Sequence, residues 1–268
     1  MKGPVVIVIP ARYASTRFPG KPLATLRGAT GEGRSLIRRS WDAAMAVPGI
    51  DRVVVATDDG RIAAEAEAFG AEIAMTSESA ENGTIRCAEA LAACRPEPEI
   101  LVNLQGDAPL TPPWFVSALV DAMRARPEIQ VATPVLRCDA EALAGFHADR
   151  RAGRVGGTTA AIARDGRALY FSKEVIPYTG RTLAAGEEIP VLHHVGIYAY
   201  RPAALRAYAA LPMGPLERWE GLEQLRFMEH GWDVTCIEVE ARGAQFWELN
   251  NPEDLPRIEA ILAARGAV

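Results

Sequence analysis

The chain has 268 residues, of which 49% are apolar and 24% charged, and its formal net charge is −5. That length suits one large α/β domain, or a main domain with a smaller lobe, and the composition is that of a soluble globular protein. The acidic balance argues against coating a nucleic acid, and no apolar run approaches the roughly 18–20 residues of a membrane span, so neither partner is expected.

The opening stretch MKGPVVIVIPAR turns polar and basic too soon for a signal-peptide core, and VVIVI at 5–9 reads as a buried strand. It feeds PARYASTRFPGKP at 10–22, where Arg12, Arg17 and Lys21 fall on a segment that its prolines keep from being an ordinary helix. TLRGATGEGRS at 25–35 is Gly-rich and is expected to be a mobile surface loop. SLIRRSWDAAMAV at 35–47 has helical apolar spacing, and DRVVVATDD at 51–59 is a β-branched strand ending in two aspartates. Asp58 and Asp59 are read as caps of the following helix, RIAAEAEAFG, which Gly70 stops. TIRCAEALAAC at 84–94 is helical, EILVNLQGD at 99–107 is a strand entering a Gly turn, and PPWFVSALVDAMRA at 112–125 opens a helix with prolines.

The pattern changes after about residue 133. RVGGTTAAIA, ALYFS and HHVGIYAY read as strands with fewer helices between them. LERWEGLEQLRFMEHG at 216–231 reads as a helix, DVTCIEVE at 233–240 as a strand, and PEDLPRIEAILAAR as a final helix. The four cysteines, Cys87, Cys94, Cys138 and Cys236, include no CxxC pair, so neither a disulfide framework nor a zinc site is expected, and the compartment is read as reducing cytoplasm.

The β-α-β-α alternation predicts an α/β fold with a doubly wound, mostly parallel sheet of Rossmann-like type. Residues 1–132 and 204–268 would form the nucleotide-binding core, and 133–203 a smaller mixed α/β lobe. Ligands of such sheets bind at the carboxyl ends of the strands, where PARYASTR, TDD and QGD gather. A strand feeding a cation-bearing loop suggests a phosphate site. It is not a Walker A loop: Ser15 stands where that motif needs its first Gly, and Pro22 where it needs Ser or Thr.

The order P-A-R-x-x-S-x-R-x-P-G-K-P closely resembles the nucleotide signature of the sugar cytidylyltransferases, above all the branch that makes CMP-Kdo. RVVVATDD, VNLQGDAPL, GRALYFSKEVIPY, HHVGIYAYR, PLERWEGLEQLR and NPEDL follow that family's order and spacing over nearly the whole chain. The resemblance implies transfer of CMP from CTP to the anomeric hydroxyl of an acidic sugar, 3-deoxy-manno-octulosonate (Kdo), with release of pyrophosphate. It also implies a Mg²⁺ cofactor and a homodimer built through the smaller lobe.

By resemblance, Arg12, Arg17 and Lys21 cradle the triphosphate, Pro10 and Ala11 line the nucleoside, and Asn82, Gly83, Thr84 and Arg86 belong to the nucleotide segment. Arg12, Lys21 and Asp107 carry the chemistry. Asp107 binds Mg²⁺, and Gln105 contacts nucleotide or sugar. His194, Tyr198, Glu217 and Glu220 match sugar-side positions, with Gln224 and Arg226 in the same motif; the two glutamates, three apart, share a helix face and are expected to point into one cleft.

The chain also departs from the family text. QGDEP reads QGDAP, with Ala108 for a glutamate; SGTDR reads NGTIR, with Asn82 and Ile85; and Thr159 stands where a lysine is expected. The C-terminal G-V-D-T-P-E-D-L has Asn250 at the aspartate that serves as second metal ligand, so Glu248, on the same strand face, is expected to supply the missing charge. These departures leave two alternatives open: a cytidylyltransferase for a different acidic or hydroxylated acceptor, and a non-catalytic nucleotide-binding protein.

Overall fold

In the computed structural model, which describes residues 2–14, 18–155, 157–180, 187–245 and 247–267, the first apolar run forms β1 (Val5–Ala11). A 3₁₀ turn, η1 (Lys21–Leu23), a hairpin of β2 (Thr25–Arg27) and β3 (Gly33–Ser35), and α1 (Leu36–Met45) follow. Next come β4 (Arg52–Thr57), α2 (Gly60–Ala68), β5 (Glu72–Met75), α3 (Gly83–Leu91), β6 (Ile100–Asn103) and α4 (Pro113–Ala125). The middle of the chain supplies β7 (Val131–Arg137), α5 (Ala140–Arg151), β8 (Thr158–Ile162), β9 (Ala168–Ser172), β10 (Leu192–His194) and β11 (Tyr198–Tyr200). The last part contains α6 (Pro202–Ala210), α7 (Pro215–Glu220), α8 (Leu225–Glu229), β12 (Thr235–Glu238), η2 (Pro252–Asp254) and α9 (Leu255–Ala264).

The strands form one ten-stranded sheet in the order β5-β4-β1-β6-β11-β7-β10-β8-β9, with β12 beside β7. The β5-β4-β1-β6 half is parallel, and from β6 outward the main path is antiparallel. This is a Rossmann-like α/β architecture. The strands drawn from 133–203 make no sheet of their own among the described residues. β7 begins at Val131, so the division at residue 133 falls inside it, and β8 to β11 extend the common sheet.

Period-two alternation places β1 between two cores. Val5, Ile7 and Ile9 join Val55, Val102, Phe115 and Leu119 on one face, while Val6 and Val8 join Val54, Cys87, Leu101 and Leu205 on the other. All four cysteines are unpaired and buried, as expected of core residues.

Two segments differ from their expected form. The Gly-rich stretch at 25–35 is an ordered hairpin, because its turn is tied down: Arg39 donates to the carbonyls of Leu26 and Glu32, and the Ala29 amide donates to the Ala267 carbonyl. The helix expected over 216–231 is two short helices, α7 and α8. Gly221, at φ 60°, ends α7 in the left-handed conformation that glycine adopts without steric cost.

The parallel half fixes where the polar loops meet. β1 and β6 pair in register from Val5↔Ile100 to Val8↔Asn103, so the segments leaving their carboxyl ends run side by side. Gly106 makes the closest approach: a Cβ there would lie 2.6 Å from the Pro10 carbonyl oxygen. Ser40 Oγ holds the Gly106 carbonyl at 2.9 Å, which leaves the turn little room to retreat. Gly106→Ala is therefore expected to destabilise the fold by about 1–3 kcal/mol, the usual range for overpacking, and a lowered urea midpoint at unchanged slope would report it.

Candidate active site

A cleft of about 830 Å³ opens at the carboxyl ends of β1 and β6. One wall carries Pro10, Ala11, Arg12 and Lys21 from the first loop and Gln105, Gly106 and Asp107 from the turn after β6. The Lys21 ammonium donates to Asp107 Oδ2 at 2.6 Å, and both side chains are largely shielded from solvent. The Arg12 side chain is exposed and has no partner among the described residues. Arg17 lies outside the described residues.

The base of the cleft carries Asn82, Gly83 and Arg86 at the start of α3. Asn82 is the cap of that helix: its Oδ1 accepts from the Ile85 amide at 2.9 Å and its Nδ2 donates to the Tyr208 hydroxyl at 3.0 Å. Asn82 thus lines the cleft as the cap of α3. The Arg86 guanidinium is buried, bonded to Thr76 and to Asp58 Oδ2 at 3.2 Å. Asp58 is therefore the partner of Arg86 rather than a cap, whereas Asp59 does cap α2, accepting from the Arg61 amide at 2.9 Å. Thr84 does not line the cleft. Its hydroxyl meets the Tyr200 hydroxyl at 2.8 Å and its amide donates to Glu223 Oε2 at 3.1 Å.

The cleft is also lined by His194 and Tyr198, together with Gly157, Thr158, Glu223 and Gln224. Thr133 donates to the Ile197 carbonyl at 2.8 Å and its oxygen lies 3.0 Å from His194 Nε2, which assigns the ring proton to Nε2 and leaves Nδ1 as the acceptor. Burial pushes the His194 imidazole down to about 3, so the ring is neutral at physiological pH. The Tyr198 hydroxyl, whose pKa burial raises far above its ordinary value, donates to Gln224 Oε1 at 3.0 Å. The Gln224 Nε2 group is buried and has no partner among the described residues. Burial raises the Glu223 carboxyl above its usual range, opposed by the hydrogen bond from the Thr84 amide. These groups offer donors and acceptors matched to a polyhydroxylated ligand.

Glu217 and Glu220 do not enter the cleft, which corrects the expectation from their spacing. Glu217 is 4% exposed and takes two bonds from Arg226, Nε to Oε2 at 2.6 Å and Nη2 to Oε1 at 2.8 Å. Glu220 accepts from Ser172 Oγ at 2.7 Å and from the Lys173 amide at 2.9 Å, tying α7 to the end of β9. The break at Gly221 brings Glu223 and Gln224 to the cleft instead. An isolated Gly inside the helical pattern was the available signal. Thr159, at the position of the expected lysine, turns its hydroxyl to the backbone of Glu174 and Ile176 rather than to the cleft.

The third contributor is the extended segment before α9. The Leu249 amide donates to the Asp107 carbonyl at 2.9 Å, which sets Glu248 and Asn250 on the cleft beside Asp107. Among the described residues no three His, Cys, Asp or Glu side chains could by themselves hold a metal ion. The hard oxygen donors of Asp107, Glu248 and Asn250 form an incomplete set. Such a set suits Mg²⁺, which takes a few carboxylates and completes its shell with substrate phosphates and water.

The sequence matches the cytidylyltransferase family over residues 6–238. It is 43% identical over 262 residues to the 3-deoxy-manno-octulosonate cytidylyltransferase of Maricaulis maris, covering 98% of both chains. It is 38% identical over 260 residues to the enzyme of that name from Chlamydia abortus, covering 97% of this chain and 94% of the other. A solved CMP:2-keto-3-deoxy-manno-octonic acid synthetase in complex with CTP superposes with a TM-score of 0.82 at 35% identity, over 98% of this chain and 99% of that one.

The Arg226–Glu217 pair yields a test that separates packing from binding. Glu217→Ala leaves a buried guanidinium with only the more distant Glu81 carboxylate as counter-charge, so a loss of about 3 kcal/mol in unfolding free energy is expected. The surviving folded protein should keep its KM for sugar, measured well below the shifted Tm; a normal Tm with a raised sugar KM would restore the ligand role.

Proposed function

The chain belongs to the cytidylyltransferase family, and from that premise we propose that it transfers CMP from CTP to the anomeric hydroxyl of 3-deoxy-manno-octulosonate, releasing pyrophosphate. The observation that carries this reading is one cleft with two unlike sets of groups. Cations and a carboxylate on strand-end loops share it with hydroxyl, imidazole and amide groups and the Glu223 carboxyl.

The chemistry follows from that division. The sugar hydroxyl attacks the α-phosphorus of CTP, the new O–P bond forms as the α–β bridging P–O bond breaks, and the electron pair leaves on pyrophosphate. Arg12 and Lys21 offset the charge of the triphosphate, the arginine through a planar fork and the lysine as a point charge. His194, Tyr198, Glu223 and Gln224 orient the sugar, which lowers the barrier by fixing the angle of attack. Asp107, with Glu248 and Asn250, would hold Mg²⁺, whose charge supplies electrostatic stabilisation to the phosphates. With Asp107 engaged in that way, Lys21 would be free to meet the triphosphate.

Two further proposals concern assembly and location. A homodimer through the 133–203 segment draws on the position of β9 as the outer strand of the sheet and on exposed Leu169 and Tyr178 near it. A cytoplasmic location draws on the four unpaired cysteines. Among the described residues no helix is long and apolar enough to cross a membrane.

Pyrophosphate release from purified protein with CTP and Mg²⁺ should require Kdo. Release with another acidic sugar but not Kdo would favour a different acceptor, and no CTP binding would overturn the reading. Asp107→Asn should lower kcat by roughly 100-fold or more, because metal-assisted charge stabilisation is worth several kcal/mol. Glu248→Gln should weaken Mn²⁺ binding measured by calorimetry in the presence of CTP; unchanged metal affinity would remove Glu248 from the site.

A further inference from the structure

Arg257 has no part in the arrangement described so far. It sits in the first turn of α9, where a cation opposes the helix dipole by about 0.3–1 kcal/mol, so helix stability does not account for it. Its Cζ lies 3.6 Å from the centroid of the Trp247 ring. Both side chains line the cleft with Arg12, Lys21, Asp107 and Asn250. No carboxylate of the described residues pairs with the Arg257 guanidinium, which is exposed.

The support under that guanidinium is well built. Trp247 Nε1 donates to Asp254 Oδ1 at 3.0 Å. The other oxygen of the same carboxylate accepts the amides of Asn250 at 3.0 Å and Asn251 at 2.8 Å. One aspartate therefore fixes both the turn that carries Asn250 and the indole under Arg257. A guanidinium stacked on an aromatic face keeps its in-plane N–H groups available to a further ligand. Planar recognition of phosphate oxygens uses those groups.

We propose that Arg257, held by Trp247, is an additional phosphate-binding cation of the cleft. It contacts the terminal phosphates of CTP and the pyrophosphate that leaves. The inference rests on the cytidylyltransferase reading above and adds to it the residue that grips the leaving group.

The test is inorganic pyrophosphate binding to the full-length protein with Mg²⁺ present, by calorimetry, alongside steady-state kinetics. Arg257→Ala should weaken pyrophosphate binding and raise the KM for CTP by about tenfold each, the size of one charge-assisted contact, with the sugar KM unchanged. Arg257→Lys should recover part of the loss. Trp247→Leu, which removes the stacking face and leaves the charge, should give an intermediate loss, with an unshifted Tm showing that the fold is kept. Unchanged pyrophosphate and CTP affinity in a folded, active Arg257→Ala protein overturns the inference and leaves the proposed function standing. An unmodified protein that releases no pyrophosphate with CTP and Kdo, yet loses pyrophosphate affinity on Arg257→Ala, overturns the function and leaves the phosphate site standing.

Discussion

The site depends on the adjacency of β1 and β6. These two parallel strands end side by side, and the loops that leave them place Lys21 within 2.6 Å of Asp107. The approach is possible because position 106 has no side chain to strike the Pro10 carbonyl. A cation meant for phosphate and an anion suited to a metal are thereby kept partly buried next to each other. Each satisfies the other until ligands arrive, so neither charge is left without compensation in a low-dielectric cleft. On the proposed reading, a triphosphate arriving with a divalent cation would replace one ion pair by two, which would conserve charge balance.

The lining at Glu223 and Gln224 is set by a different device. α7 is clamped from within by the Glu217–Arg226 pair and from the side by Glu220 at the end of β9. With both glutamates committed to structure, the left-handed turn at Gly221 redirects the chain and brings Glu223 and Gln224 to the cleft. Arg226 also reaches Glu81 Oε2 at 3.3 Å, next to the residues that begin α3. The start of α3 and the α7–α8 turn, both at the cleft, are thus joined through one buried guanidinium.

Much of this was legible in the sequence where the signal is local. A five-residue apolar run, β-branched strands and proline-led helices announced the parallel half. The strand-end rule then gathered the PAR and QGD clusters without knowledge of tertiary contacts. What failed did so because the deciding partner lies far along the chain. The spacing of Glu217 and Glu220 marks a shared helix face but not Arg226 or Ser172 waiting on it. Asp58 reads as a cap until Arg86, 28 residues on, claims it. The Gly-rich stretch at 25–35 reads as mobile because Arg39 and the C-terminal Ala267 supply its order from outside. Trp247 and Arg257 escaped notice since a lone aromatic and a lone cation ten residues apart carry no periodic signature.

The departures from the family text become coherent when they are placed in space. Ala108 stands where the motif has a glutamate, and Asn250 where it has an aspartate, a loss of two negative charges near the metal side. Glu248 stands where the same C-terminal motif has a glycine. Ala108 and Glu248 line one small recess with Val195 and Gly196. A Cβ on Gly196 would lie 3.6 Å from Glu248 Oε1, so the carboxylate occupies the space that small residues at 108 and 196 leave open. A glutamate at 108 and another at 248 would compete for that recess and repel each other. On this argument the substitutions relocate one carboxylate from the turn after β6 to the extended segment that precedes η2 and α9. Arg257, in the first turn of α9, lines the same cleft, stacked on a tryptophan one residue before the relocated glutamate. Glu248 and Arg257 thus reach the cleft from the one segment that the Leu249–Asp107 hydrogen bond holds beside Asp107.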